Sequence, residues 1–156
     1  MRITILAVGT KMPRWVDEAF ADYAKRFGRD ITLELKEIKP EKRGGGVTAE
    51  KGIAAEHARL IAALPPRAKL IVLDERGKAL TSMKLAAELK DWLADGQDLA
   101  LVIGGADGLS DELKQRADLL LQLSAMTLPH GMVRVMLAEQ LYRAVSILNN
   151  HPYHRE

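Results

Sequence analysis

Two periods alternate along this chain. Residues 2–9 (RITILAVG) form a short apolar run rich in β-branched side chains, as in a strand buried on both faces and closed by a Gly–Thr turn. Beyond Pro13 the spacing changes to three and four. Trp15, Val16, Ala19, Phe20, Tyr23, Ala24 and Phe27 share one face and predict a helix closed by Gly28. Residues 31–39 (ITLELKEIK) alternate apolar and polar, the pattern of a half-buried strand. Residues 48–64 are helical again, and residues 69–73 (KLIVL) predict a strand followed by a turn at Asp74-Glu75-Arg76-Gly77. Thr81 or Ser82 caps a helix that runs to Asp95, and residues 98–103 (DLALVI) are a further strand. Gly104-Gly105-Ala106-Asp107-Gly108 breaks the chain before Ser110 caps a short helix. Residues 118–123 (DLLLQL) fit either period, and their length and position favour a strand. Over residues 131–150, Val133, Met136, Leu137, Leu141, Ala144, Val145 and Leu148 form one helical stripe, widened by Met132, Val135, Tyr142 and Ile147. So broad a band predicts a helix buried within its domain or shared with a second copy of the chain.

The resulting order, β-α-β, loop, α-β-α-β-α-β-α, predicts an α/β fold: a mostly parallel sheet with helices on both faces. Residues 1–156 fit one domain without an internal repeat. Apolar residues are 47% of the chain, enough for a substantial core. The charges, 23 basic against 21 acidic, nearly cancel, so any contact with a polyanion must come from local clusters. Lys11, Arg14, Lys39, Lys42 and Arg43 are the candidates for phosphate contacts. The absence of cysteine excludes disulfides, thiolate metal sites and a cysteine nucleophile. No cluster has metal-ligand spacing, since His151 and His154 lack a third partner. The N-terminus has no signal-peptide pattern and no apolar run reaches membrane-spanning length, so a cytoplasmic protein is expected.

Ligands of open α/β sheets bind beyond the carboxyl ends of the strands. Three such ends carry candidate chemistry: after Leu73, after Ile103 at Gly104, and from Leu123 to Gly131. The last segment has no charge before His130, which predicts that it is buried. Its backbone groups would then need partners, either a ligand such as a purine ring or other backbone. Pro40-Glu41-Lys42-Arg43-Gly44-Gly45-Gly46 reads as a mobile basic loop, either a plain linker or an arm that meets phosphates. The final residues, His151, Pro152, Tyr153, His154, Arg155 and Glu156, crowd titratable and aromatic groups onto an end that is ordinarily polar and frayed. Other nucleotide-binding α/β classes share this element order. The missing G-x-G-x-x-G and the uncharged stretch from Leu123 to Leu128 speak against a dinucleotide enzyme.

The segments AVGTKMPRWV, LDERGK, LVIGGADGLS, LSAMTLPHGMVRVMLAEQLYRA and NNHPYHRE together resemble, over the whole chain, the ribosomal RNA large-subunit methyltransferase H family of the SPOUT superfamily. The resemblance implies an α/β-knot methyltransferase with a C-terminal trefoil knot, acting as a homodimer. It implies S-adenosyl-L-methionine as cofactor and, as substrate, N3 of a pseudouridine in large-subunit ribosomal RNA on the assembled ribosome. Carried onto this sequence, cofactor contacts fall at Leu73, Gly104, Leu123, Ser124, Ala125, Met126, Thr127 and Leu128. His130, Tyr153, His154 and Arg155 are the implied catalytic and substrate-side residues. The acceptor N3–H must lose its proton. Arg155 suits the developing anion, while His130, His154, Glu156 or the terminal carboxylate can take the proton. Tyr153 can stack on an unpaired base.

Overall fold

The computed structural model describes residues 1–155. Its strands are β1 (Arg2–Val8), β2 (Thr32–Ile38), β3 (Lys69–Ala79), β4 (Leu99–Ile103) and β5 (Leu119–Gln122). They pair in the order β2-β1-β4-β3-β5, and every pairing is parallel. The helices are α1 (Arg14–Ala24), α2 (Ala49–Ala63), α3 (Ser82–Asp95), α4 (Asp111–Arg116) and α5 (His130–Leu148), followed by a 3-10 turn over Pro152–Arg155.

Side-chain alternation divides the core. In β1, Ile3, Ile5 and Ala7 pack with Phe20 of α1, Leu89 of α3 and Leu141 of α5. Leu6 and Val8 point the other way, toward Leu60 of α2 and Leu113 of α4. Burial on both faces is why the strand reads as a continuous apolar run. The helix starts follow from side-chain caps. Thr48, Thr81 and Ser110 hydroxyls accept the N–H groups of Lys51, Lys84 and Leu113, each at 3.1 Å.

Two sequence boundaries are corrected. Helix α1 ends at Ala24, before Gly28, because Arg26 N–H turns back to the Tyr23 carbonyl in a tighter i→i−3 bond. Phe27 still packs on the core, so the apolar spacing outlasts the helix. The expected turn at Asp74–Gly77 is instead an irregularity inside β3: Leu73 pairs with Leu121, and so does Lys78 after it. Asp74 Oδ1 accepts the Arg76 N–H at 3.0 Å and shapes the bulge. Gly77 marks close backbone approach here, since a Cβ on it would lie 2.7 Å from the carbonyl carbons of Leu120 and Leu121.

Candidate active site

Because β4, β3 and β5 are neighbours, their carboxyl ends open onto one place. Leu73, Gly104 and the segment Leu123–Leu128 line a single pocket of about 450 Å³. The eight residues singled out in the sequence therefore meet, although they come from three separate stretches of chain. Ile103, Leu121 and Val133 add apolar wall, and Asp74, Glu75 and Arg76 of the β3 bulge add charge. A second cavity of about 480 Å³, walled by the Gly104–Leu109 turn and Lys114, shares Leu73, Asp74, Glu75 and Gly104 with the first.

The electrostatics of the mouth are defined. Burial alone would raise the Asp74 carboxyl, but the Arg76 N–H and the Lys114 ammonium, 3.3 Å away, more than offset it and hold the group below its ordinary value. Asp74 is thus a fixed anion beside apolar walls. The Leu123–Gly131 segment departs from expectation. Ala125, Met126 and Thr127 are exposed, Met126 at 78%. The segment rims the pocket instead of plugging a core, and its turn is held by the Met126 N–H donating to Ser124 Oγ at 3.0 Å. Low polarity here means surface left for a ligand or another chain to cover.

His130 opens α5 behind this rim. Its Nδ1 lies 3.2 Å from the Gly104 carbonyl, and Arg134 Nε donates to its Nε2 at 3.1 Å. A carbonyl can only accept and a guanidinium can only donate, so His130 is the neutral Nδ1–H tautomer. Burial and then the neighbouring Arg134 charge push its pKa below the ordinary value. Both ring nitrogens are engaged, which removes His130 from the candidate proton acceptors and makes it a brace for the Gly104 strand end.

Arg134 is the residue that sequence reasoning missed. It is fully buried within the apolar stripe of α5. Beyond His130, its Nη1 donates to Glu37 Oε2 at 2.8 Å and its Nη2 to the Gly9 carbonyl at 3.0 Å. One guanidinium thus joins the ends of β1 and β2 to the start of α5, and through His130 to β4. The available signal was a permanently charged residue flanked by Val133, Val135, Leu137 and Ala138, with His130 one turn before it.

The tail lies elsewhere in the same chain. The Tyr153 ring packs edge-on against Tyr142 at 4.8 Å, beneath the Arg143 guanidinium. Its hydroxyl lies 3.3 Å from both the Glu139 carboxylate and the Tyr23 hydroxyl. Burial, the Tyr23 hydroxyl and the Glu139 charge raise its pKa, so Tyr153 stays protonated. Arg143 is paired with Glu139 at 3.2 Å. Arg155 is exposed, and His154 Nδ1 is buried without a hydrogen-bond partner among the described residues. Glu156 lies outside the described residues. From His130 to Arg143, α5 advances roughly 20 Å at about 1.5 Å per residue. The tail packs at that far level, and none of its described residues lines the pocket.

The basic arm is anchored rather than mobile. Arg59 donates to the Lys39 carbonyl at 2.9 Å and to Glu41 Oε2 at 2.6 Å, and Glu41 N–H donates to the buried Glu56. Gly44, Gly45 and Gly46 all have positive φ (95°, 59° and 88°), which is why three glycines stand in a row. Arg43 is held by carboxylates and so is corrected as a phosphate contact. Lys11, Lys39 and Lys42 remain exposed, and Arg14 pairs with Glu18.

A family model described as "Predicted SPOUT methyltransferase" matches residues 1–154. The chain belongs to the SPOUT methyltransferase family. It is similar to proteins named ribosomal RNA large subunit methyltransferase H: 85% identical to that of Chromobacterium violaceum, 82% to that of Laribacter hongkongensis and 67% to that of Neisseria meningitidis serogroup A. Each match covers 100% of both chains. The pocket at the β3, β4 and β5 ends therefore lies in a SPOUT methyltransferase. Among the described residues, no helix is long and apolar enough to cross a membrane.

Proposed function

We propose that this SPOUT methyltransferase transfers the methyl group of S-adenosyl-L-methionine to N3 of a pseudouridine in large-subunit ribosomal RNA, on the assembled ribosome in the cytoplasm, as a homodimer. The observation that carries the reading is the convergence of Leu73, Gly104 and Leu123–Leu128 on one pocket in a chain so similar to methyltransferases named for large-subunit RNA. The pocket suits the donor. Its volume falls in the range of ligand sites, about 300–1,000 Å³. Apolar walls from Leu73, Ile103, Leu121, Leu123 and Leu128 accept a flat ring, and the ionised Asp74 suits a cationic ligand.

When bound, S-adenosyl-L-methionine supplies a methyl group already activated on sulfur. The residues of this chain supply position and charge. Leu123–Leu128 and Gly104 hold the donor side, and the His130–Arg134 brace keeps the Gly104 carbonyl in place. The acceptor nitrogen must surrender a proton as the methyl carbon is attacked in line at about 3–3.5 Å. Arg155 stabilises the resulting imidate charge, and His154 takes the proton, because the Nε2 lone pair of His130 is spent on Arg134. Tyr153 anchors the tail through Tyr142 and Glu139, and the exposed Arg155 follows two residues on to meet the base.

Within one chain the tail stands far from the pocket, so we propose that each tail completes the site of the partner subunit. Exposed apolar residues at the adjoining starts of α1 and α5, Trp15 at 51% and Met132 at 36%, supply surface for a second copy. Lys11, Lys39 and Lys42 then offer phosphate contacts.

The test is transfer of labelled methyl to ribosomes from a strain lacking its own enzyme, beside free large subunits and naked RNA. Label at a pseudouridine of assembled ribosomes is expected. Donor binding without label on any of the three substrates would redirect the search to other RNAs.

A further inference from the structure

Arg43 occupies a position that a linker residue would not need. Its Nε donates to Asp107 Oδ2 at 2.6 Å, and its Nη1 donates to the Glu41 carbonyl at 2.7 Å. Nη1 and Nη2 also reach the two oxygens of Glu56, at 3.3 and 3.4 Å. Glu56 is only 3% exposed, so its charge is sustained by this guanidinium and by the Glu41 N–H. Helix α2 is notched to admit the side chain: a Cβ on Gly52 would collide with the Arg43 guanidinium. Glycine within a helix is unfavourable relative to alanine, so the notch is a sacrifice of local stability for this contact.

Asp107 sits in the turn from Gly105 to Gly108, which is closed by the Gly108 N–H donating to the Gly105 carbonyl at 3.1 Å. That turn continues directly from Gly104, the wall shared by the pocket and its neighbouring cavity. From behind, Glu56 Oε1 stands 3.5 Å from where a Cβ on Gly105 would be. The buried carboxylate thus flanks the turn, and the tip is held by the Arg43–Asp107 ion pair. Arg43 joins the two, from a segment more than fifty residues away from Asp107 in sequence. Asp107 is itself part of the neighbouring cavity wall.

We propose that Arg43 is a positioning residue for methyl transfer: through Asp107 it fixes the Gly105–Gly108 turn and so the shape of the donor pocket at Gly104. This rests on the donor reading given above. It assigns the basic arm a role on the donor side, while the exposed Lys42 beside it is left for phosphate.

Two variants separate positioning from mere support. Asp107→Ala releases the turn while leaving the Arg43–Glu56 pair, and hence the buried charge balance, intact. Gly52→Ala displaces the guanidinium without removing it. S-adenosyl-L-methionine binding by calorimetry, and KM for that donor against kcat on ribosomes, are compared with the wild type alongside melting temperature. We expect each variant to raise Kd and donor KM about tenfold with kcat at saturating donor within about twofold, and Asp107→Asn, which keeps an acceptor for Nε, to recover most of the affinity. Wild-type Kd and KM in both Asp107→Ala and Gly52→Ala overturn the inference, whatever their melting temperatures. A wild-type chain that binds no donor overturns the donor reading, and this inference with it.

Discussion

The side chains that organise the pocket do so by committing their hydrogen-bonding groups. His130 is the clearest case, because its two nitrogens face groups of opposite character and only one tautomer satisfies both. Protonation would set a second N–H against Arg134 Nε. Folding holds His130 below its ordinary value of 6.5, so as pH falls the unfolded chain takes up this proton before the folded one does. Stability from this residue is thus intact above 6.5 and is lost as pH falls from there toward the depressed folded value. His130→Asn keeps a side-chain N–H for the Gly104 carbonyl and removes the titration. The drop in melting temperature between pH 7.5 and 5.5 should be smaller in this variant than in the wild type. An identical drop in both would show that the residue is not held neutral. Arg134 extends the same logic. Its three partners lie in α5, in β2 and just past the end of β1, and removing one partner of a buried charge network typically costs about 3–5 kcal/mol.

At the scale of elements, the irregular stretch of β3 decides how the pocket is built. A regular strand would carry Asp74, Glu75 and Arg76 along the sheet. The register shift between Leu73 and Lys78 instead pushes them out to the pocket mouth while β5 keeps pairing on either side. Gly77 permits this because the β5 backbone runs where a Cβ would stand. Gly77→Ala should therefore strain the β3–β5 pairing and displace Gln122 and Leu123, which begin the pocket rim. A loss of about 1–3 kcal/mol in urea denaturation, of the order of other overpacking substitutions, is expected together with weaker donor binding. Unchanged stability would mean that β5 can shift aside freely. The glycines of the arm act by another mechanism. Nothing lies within 4 Å of a Cβ on Gly44, Gly45 or Gly46, so their requirement is conformational, through positive φ, and not steric.

Across the whole molecule, the two halves of the proposed chemistry stand apart. The pocket lies at the start of α5, and the tail folds back over its later turns, tied down by Tyr142, Glu139 and Tyr23. The proposed completion of each site by a partner subunit would resolve the separation. Removing residues 151–156 should then abolish methylation with donor affinity nearly unchanged, and full activity in the truncated chain would refute the tail's role. Mixing is the sharper test. A tail-deleted chain and a chain with a disabled pocket are each inactive alone, but co-expressed they should form dimers with one intact site. Recovery of activity only in the mixture is the expected result.

Much of this protein was legible before its structure. The switch from period two to period three or four placed the strands and helices, because each element had to bury one face or two against a single sheet. Leu73, Gly104 and the stretch from Leu123 to Gly131 stood out as strand ends, since strand ends are where α/β sheets bind ligands, and the family resemblance narrowed the last to Leu123–Leu128. Only the tertiary structure could place those ends side by side, for strand order depends on how the crossovers pack and not on any local pattern. Packing also decided that β3 continues through Asp74–Gly77 and that the uncharged Leu123–Gly131 segment rims a pocket. The largest revisions came from charges. Arg134 buried among apolar neighbours, Arg43 latched to Glu56 and Asp107, and His130 with both nitrogens engaged are all defined by partners distant in sequence. A side chain's charge is local information; whether that charge is free to act is set by what the fold brings within hydrogen-bond reach.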